Sequence, residues 1–282
     1  KAFSIVVAAE KTSTSGSPYP EADDVIIFED DFETGNLNKW DEKPARYAIE
    51  SDGSKARGQH SVRGTINAGY NNGQLNKWFM PGHDEAYVKF QVMFSSGFQD
   101  GGMHFMGVMG NHVTNKWSAS GKAGIRPSGS DYFYVTVDPE YPNQNGGVKA
   151  IHPFMFYSYW PEMNCPSNYD ATSNRNCWGN VTLQDAPKVV NTPGVWHEVV
   201  VRVKLNTPGQ KDGLQEMWVD GQKVISQTGM RWRDTTDVRV NQFSLLLYMT
   251  DSPQTQHVWL DDVVIWTPAT VSSSPAPSPQ PI

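Results

Sequence analysis

The chain has 282 residues, a formal net charge of −7 and a pI near 5.5. Because nucleic-acid-binding domains present a basic face, this acidic balance argues against a nucleic-acid partner. No apolar run is long enough for a transmembrane helix, so we expect no membrane partner. Aromatic residues make up 12% of the chain. They can supply a large core and still leave rings for a binding surface.

The folded region is predicted to be one domain over residues 25–268. Residues 1–24 are polar and rich in Ser, Pro and Gly, which predicts a flexible lead-in. The tail 269–282, with its run VSSSPAPSPQPI, has the composition of an extracellular linker between modules. We therefore expect a monomeric domain that is tethered to further modules through this linker.

Short β-rich runs recur along the domain, separated by Gly, Pro, Asn and Asp. They are Glu85–Phe94, Met103–Val108, Tyr132–Val137, Ile151–Trp160, His197–Leu205, Leu214–Val219, Gln242–Thr250 and His257–Trp266. In the run from His197, the residues Val199, Val201 and Val203 share one face, and Val200 breaks the alternation. Many short strands without helices predict an all-β fold, a β-jelly roll or concanavalin-like two-sheet sandwich.

The two cysteines, Cys165 and Cys177, lie in a loop-like stretch rich in Asn, Ser and Pro. Their short separation predicts a disulfide that closes a surface loop. A sequon follows at Asn180-Val181-Thr182. The disulfide, the sequon and the linker-like tail together indicate a secreted, extracellular protein.

The stretch from Trp196 to Gly221, WHEVVVRVKLNTPGQKDGLQEMWVDG, carries the most specific pattern in the chain. Two strands flank a polar turn, and the second strand ends in the hairpin-forming pair Asp220-Gly221. This hairpin resembles that of the family 14 polysaccharide lyases, which are β-jelly rolls that act on alginate and related uronic-acid polymers. The resemblance implies the same fold and a polysaccharide substrate, with no cofactor required for the chemistry.

Three further motifs of that family have counterparts here. Residues 101–107, GGMHFMG, resemble its GGKLPG-like strand, with His104 where the family has Lys. Residues 124–126, GIR, resemble its Ser-x-Arg strand, with Gly124 in place of Ser and Arg126 kept. Residues 132–134, YFY, match its Tyr-x-Tyr strand. The resemblance therefore implies a catalytic set of His104, Arg126, Tyr132 and Tyr134.

These residue types suit β-elimination from a uronic acid. A base removes the C5 proton, an acid protonates the departing glycosidic oxygen, and a cation stabilises the charge that develops on the carboxylate. His104 would be the base or the partner of the carboxylate. Arg126 would neutralise the carboxylate, and Tyr132 or Tyr134 would be the acid.

Substrate-binding residues are expected from neighbouring strands. In the aromatic run from Ile151 to Trp160, Tyr157 and Tyr159 line the groove if the even-numbered residues face the core, and the opposite register stays open. Lys122 is a second cation in a predicted loop. Gln242 and Tyr248 share one face of their strand and are further candidates.

The last strand, His257–Trp266, is expected to pair near Phe28–Trp40 and close the domain. Jelly rolls often hold a structural Ca²⁺ at such a junction, and carboxylates are the ligands it prefers. The candidate ligands are Asp30, Asp31, Glu33 and Asp261. The alternative is that these acids are solvated residues that flank strands.

Two other functions remain open beside the lyase. The absence of the family's Lys and Ser favours a non-catalytic carbohydrate-binding module or lectin, whereas the retained Arg and Tyr pair favours the lyase. A third alternative is a hydrolase or lyase on a neutral or unusual glycan. A glycosidase of the laminarinase type is disfavoured, because Glu216 and Asp220 do not have the alternating spacing that its carboxylates need.

Overall fold

The computed structural model describes residues 17–140, 149–150 and 153–269. The strands are β1 (Val25–Asp30), β2 (Tyr47–Glu50), β3 (Ser61–Ile66), β4 (Gly69–Asn71), β5 (Gln74–His83), β6 (Glu85–Phe94), β7 (Gln99–Asp100), β8 (Met103–His112), β9 (Tyr132–Pro139), β10 (Lys149–Ala150), β11 (Phe154–Tyr159), β12 (Asn180–Thr182), β13 (His197–Lys204), β14 (Gly213–Val219), β15 (Gln222–Met230), β16 (Val238–Ser252) and β17 (Gln256–Thr267). A short 3-10 helix spans Gly53–Lys55.

The strands form two large antiparallel sheets. The first sheet has the order β15-β14-β13-β6-β17-β3-β2, with β1 also paired to β17. The second sheet has the order β12-β11-β9-β8-β16-β4, with β5 also paired to β16, and β7 pairs separately with β10. The predicted all-β sandwich of the jelly-roll type is confirmed.

One hydrophobic core fills the space between the sheets. The strands alternate as predicted, so that Phe90 and Phe94 of the first sheet meet Phe105 and Phe154 of the second. The Phe94 and Phe105 ring centroids are 5.2 Å apart. Because every second residue points into this core, the residues between them form the outer faces of the sandwich.

The outer face of the first sheet carries a second apolar cluster, which explains why Val200 breaks the alternation of its strand. Val200 is buried there with Tyr87, Trp218 and Trp266. The Tyr87 and Trp266 rings stack with their centroids 5.0 Å apart. Aromatic packing therefore covers this part of the outer face.

Beside this cluster lies a nearly buried ion network. The Arg202 guanidinium pairs with Glu85 and Glu216 at 2.8 Å each. Glu216 also pairs with Lys223, and Asp220 pairs with His197. Both acids of the disfavoured glycosidase pattern thus have basic partners on the first sheet.

The predicted closure of the domain is confirmed. β1 pairs with β17, and Phe28 stands opposite Ile265. The predicted disulfide joins Cys165 and Cys177. Of the predicted strand from Ile151, the first two residues lie outside the described residues, as do 1–16 of the lead-in and 270–282 of the tail. Within the described ranges, no helix is long and apolar enough to cross a membrane.

Candidate active site

An open cavity of about 320 Å³ lies on the outer face of the second sheet. Its floor comes from β5, β8, β9, β11 and β16, and two loops form its wall. The lining residues are Asn72, Gln74, His104, Gly121, Lys122, Ala123, Tyr134, Thr136, Tyr157, Tyr159, Trp178, Leu246 and Tyr248.

His104 lies on the cavity side of β8, and its side chain is 30% exposed. Its Nδ1 is 2.7 Å from Oδ2 of Asp138, a fully buried carboxylate on β9. Asp138 also accepts hydrogen bonds from the Phe105 amide at 3.0 Å and the Thr136 hydroxyl at 3.1 Å. These contacts hold Asp138 in place, and Asp138 in turn orients the imidazole.

The environment of His104 shifts its pKa. Burial disfavours the imidazolium, but the charge and hydrogen bond of Asp138 outweigh burial, with a further contribution from Asp100. The pKa of His104 is therefore raised above its ordinary value. A histidine tuned in this way within an open cavity is a candidate proton-transfer group.

Two aromatic rings flank the His104 imidazole. The centroid of the Tyr157 ring is 4.9 Å away, and that of the Tyr248 ring is 5.5 Å away and stacked. A bulge in β16 places Tyr248 there. Leu245 stands opposite Met106, and Tyr248 stands opposite His104, so β16 has one residue more than β8 over this stretch.

Tyr157 and Tyr159 form a pair of phenols on β11. Their hydroxyl oxygens are 3.2 Å apart, and the Tyr157 oxygen accepts a hydrogen bond from the Gly179 amide at 2.9 Å. Burial and the neighbouring Tyr159 raise the pKa of Tyr157, and burial raises the pKa of Tyr134 to about 12. Tyr157 and Tyr134 therefore stay protonated at neutral pH.

The structure brings six of the nine predicted catalytic and substrate-binding residues to the cavity. They are His104, Lys122, Tyr134, Tyr157, Tyr159 and Tyr248. The register of β11 has its even-numbered residues in the core, because Phe154 and Phe156 are fully buried there. Lys122 is at the cavity wall, where its Nζ is 4.0 Å from an oxygen of Asp131.

The other three predicted residues do not line the cavity. Residues 124–126 belong to a loop, not a strand, and the Arg126 guanidinium lies over the Tyr169 ring, 5.4 Å from its centroid. Tyr132 is fully buried, and its hydroxyl donates to the backbone carbonyl of Ile125. Gln242 is on the expected face but is 4% exposed, and its amide donates to Asn76 at 3.2 Å.

Sequence reasoning missed Asp138 and Trp178. Asp138 follows Tyr134 and Thr136 at every second position of β9, so the alternation of that strand contained the signal. Trp178 follows Cys177 of the disulfide and is 50% exposed at the cavity wall. It lies in a loop, where alternation carries no information.

The predicted calcium ligands have protein partners. Asp30 accepts a hydrogen bond from the Trp40 indole at 2.8 Å and pairs with Lys39, whereas Asp261 accepts from the Arg57 amide at 2.9 Å. Glu33 accepts from the backbone amides of residues 59 and 60. Across the residues that the structure describes, no group of three or more His, Cys, Asp or Glu side chains is placed to hold a metal ion. The structural Ca²⁺ therefore stays a prediction.

Comparison with known proteins supports the resemblance seen in the hairpin. The family model for polysaccharide lyase 14 matches residues 155–250, about a third of the chain. Alginate lyase vAL-1 from Chlorella virus is similar in structure, with a TM-score of 0.63 and 14% identity over 86% of this chain and 99% of that chain. A search of curated proteins finds no match.

Two further lyases share the fold. The marine PL-14 alginate lyase from Aplysia kurodai has a TM-score of 0.57 and 17% identity, over 79% of this chain and 87% of that chain. The endo-beta-1,4-glucuronan lyase from the fungus Trichoderma reesei has a TM-score of 0.53 and 19% identity, over 86% and 96%. The predicted resemblance to family 14 is confirmed, and the comparisons support a polysaccharide lyase.

The chain has two Tyr-x-Tyr pairs, and the residues that the family model matches contain one of them. The matched residues include Tyr157-Ser158-Tyr159 of β11 and exclude Tyr132-Phe133-Tyr134 of β9. Both pairs have the same spacing, so the sequence alone does not distinguish them. Both tyrosines of the β11 pair line the cavity, and of the β9 pair Tyr134 does.

Proposed function

We propose that the chain is a secreted lyase that cleaves a uronic-acid-containing polysaccharide by β-elimination in the cavity of the second sheet. The observation that carries this proposal is the placement of His104, which Asp138 holds at 2.7 Å and which lies against the Tyr157 ring. Lys122 supplies a cation at the wall of the same cavity.

His104 acts as the base in this proposal. The Asp138 carboxylate accepts a hydrogen bond from Nδ1–H, which selects the tautomer that carries its lone pair on Nε2. The neutral imidazole takes the C5 proton of the uronic acid, the C4–O bond breaks, and a C4=C5 double bond forms. The raised pKa of His104 makes the imidazole a stronger base once it is deprotonated.

Tyr157 is the acid. Its raised pKa keeps the phenol protonated, and its proton passes to the departing glycosidic oxygen. Tyr134 suits this step less well, because its hydroxyl already donates to the Ala119 carbonyl at 3.1 Å. After product release, the proton on His104 returns to the Tyr157 oxygen, and both groups are ready for another turnover.

Lys122 takes the role that the sequence suggested for Arg126. Its ammonium group at the cavity wall would balance the substrate carboxylate, and the amides of Asn72 and Gln74 add hydrogen-bond donors. The positive charge of this ammonium group offsets, within the cavity, the repulsion between the overall charge of −7 and a polyanionic substrate. We infer secretion from the disulfide, since such bonds persist in oxidising compartments.

The experiment is a panel of uronans, comprising alginate, glucuronan, hyaluronan, heparin and pectin. The unsaturated product absorbs in the ultraviolet, so absorbance should rise with at least one polymer. His104→Ala and Tyr157→Phe should abolish the rise, whereas Tyr132→Phe, whose phenol is buried away from the cavity, should retain it. Binding to a polymer without any rise would refute the lyase and support a carbohydrate-binding module.

A further inference from the structure

A line of aromatic rings crosses the second sheet on both sides of His104. Tyr157 is 4.9 Å from His104, His104 is 5.5 Å from Tyr248, and Tyr248 is 5.8 Å from Tyr70, measured between ring centroids. These residues belong to β11, β8, β16 and β4. Four strand spacings, or about 19 Å, separate the backbones of β11 and β4. The rings lean toward one another, because the three centroid separations limit the line from Tyr157 to Tyr70 to about 16 Å at most. The line therefore extends across the strands on both sides of His104.

Tyr70 ends this line on one side. It lies on β4 at the edge of the second sheet, and its side chain is 65% exposed. The ring meets Tyr248 edge-on, at an interplanar angle of 90°. The neighbouring Asn71 side chain donates to the carbonyls of Asn67 and Gly69 and so holds the backbone that carries Tyr70.

Trp178 stands on the other side, between the disulfide and β12. It is 50% exposed and lines the cavity. Its ring lies 3.2–3.4 Å from the position that a Cβ on Gly124 would occupy, and Gly124 has a φ of +71°. Glycine at this position therefore lets the Trp178 ring lie against the loop backbone.

We infer that Tyr70 and Trp178 are stacking platforms that hold sugars on opposite sides of the scissile bond, so that the protein cuts within a chain. This inference rests on the proposed function. Ligand sites are lined largely by apolar and aromatic side chains, and Tyr70 and Trp178 expose such rings at the two ends of this site. A flat ring matches the apolar face of a sugar, and binding on both sides of His104 is what endo action requires.

Binding is tested in a His104→Ala background, where cleavage does not interfere. Calorimetric titrations use a disaccharide and a hexasaccharide of the uronan that binds best in the panel. Adding Tyr70→Ala or Trp178→Ala should weaken hexasaccharide binding roughly three- to tenfold and leave disaccharide binding unchanged. Hexasaccharide affinity equal to that of the parent in both variants would overturn the inference.

Tyr19→Ala is the matched control. Tyr19 is 44% exposed and donates to Glu198 of the first sheet, on the opposite side of the sandwich. Its replacement should leave both affinities unchanged. An equal loss in the Tyr19 variant would show that the effect is not specific to the line of rings, and this result would also overturn the inference.

Product sizes test the endo action. The wild-type protein should lower the viscosity of a long polymer early in the reaction and release oligosaccharides of several lengths. Release of disaccharides alone, with slow loss of viscosity, would overturn endo action. If none of the uronans is cleaved, the proposed function fails, and the titrations still decide whether the two platforms bind sugar.

Discussion

Replacing Asp138 with Asn tests whether His104, which contacts this carboxylate, is the base. The carboxylate is fully buried, and its charge helps to raise the pKa of His104. In the proposed mechanism, the neutral imidazole is the working form. The rate should therefore rise with pH and reach its plateau above the ordinary histidine pKa of about 6.5.

The size of the effect follows from the charge that is lost. An opposite charge in contact shifts a pKa by about 1–3 units, so the ascending limb in Asp138→Asn should move to lower pH by that amount. The Asn amide also presents a donor to Nδ1, which favours the wrong tautomer for a base at Nε2. The plateau rate should therefore fall by about 10²–10⁴-fold, the usual contribution of a general base.

The assay is the pH profile of kcat on the best uronan, followed by ultraviolet absorbance. Asp220→Asn is the matched control, because Asp220 holds His197 at the same 2.7 Å but on the first sheet. Its profile should equal that of the wild type. An ascending limb in Asp138→Asn that stays in place or moves to higher pH would refute the role of His104. A wild-type rate that falls through this pH range would show that the imidazolium is the working form.

Three further changes are informative. Cys165→Ser should lower the free energy of unfolding by about 3 kcal/mol, because the disulfide closes a loop with a sequence separation of 12; a denaturant titration that shows no loss would contradict this. Arg202→Met should lower the free energy of unfolding by about 3 kcal/mol, because Glu85 and Glu216 lose their buried guanidinium partner. The exposed Arg57→Ala should lower it by less than about 1 kcal/mol in the same titration. Tyr132→Phe should lose about 1 kcal/mol of stability and keep its kcat, whereas Tyr157→Phe should lose at least about 100-fold in kcat; equal kcat losses would contradict the assignment of the acid.

Alternation predicted the strands of the sandwich well. Glu85–Phe94 has the predicted bounds, and the run from His197 ends one residue earlier than predicted. The residues of these strands that face the core repeat with period two, and the repeat is visible in the sequence. Val200 is the instructive exception, because the outer face there is also apolar.

Alternation identifies a face of a strand but not what covers that face. Tyr132 and Tyr134 share the outer face of β9 as predicted, yet the loop that precedes β9 covers Tyr132 and leaves Tyr134 at the cavity. Gln242 and Tyr248 also share one face of their strand, but Gln242 is buried and Tyr248 lines the cavity. The path of a loop over a sheet depends on tertiary contacts, which a single sequence does not display.

Arg126 does not line the cavity for a related reason. The residues GIR have the composition of a strand end, but Gly124 has a positive φ and the segment runs as a loop held by Asn174. The cation at the cavity is Lys122, only four residues earlier. The motif therefore indicated a loop of the cavity wall, in which Lys122 is the lining cation.

The extra residue in β16 restricts how this site can change. Because side chains alternate, deletion of one residue between Leu245 and Tyr248 would turn the Tyr248 phenol into the hydrophobic core and bring Met249 to the sugar. The number of residues between Leu245 and Tyr248 thus determines whether the Tyr248 ring lies beside His104. A change of length between Leu245 and Tyr248 would therefore move this ring, whereas the loops 113–131 and 164–179 have no strand register to disturb.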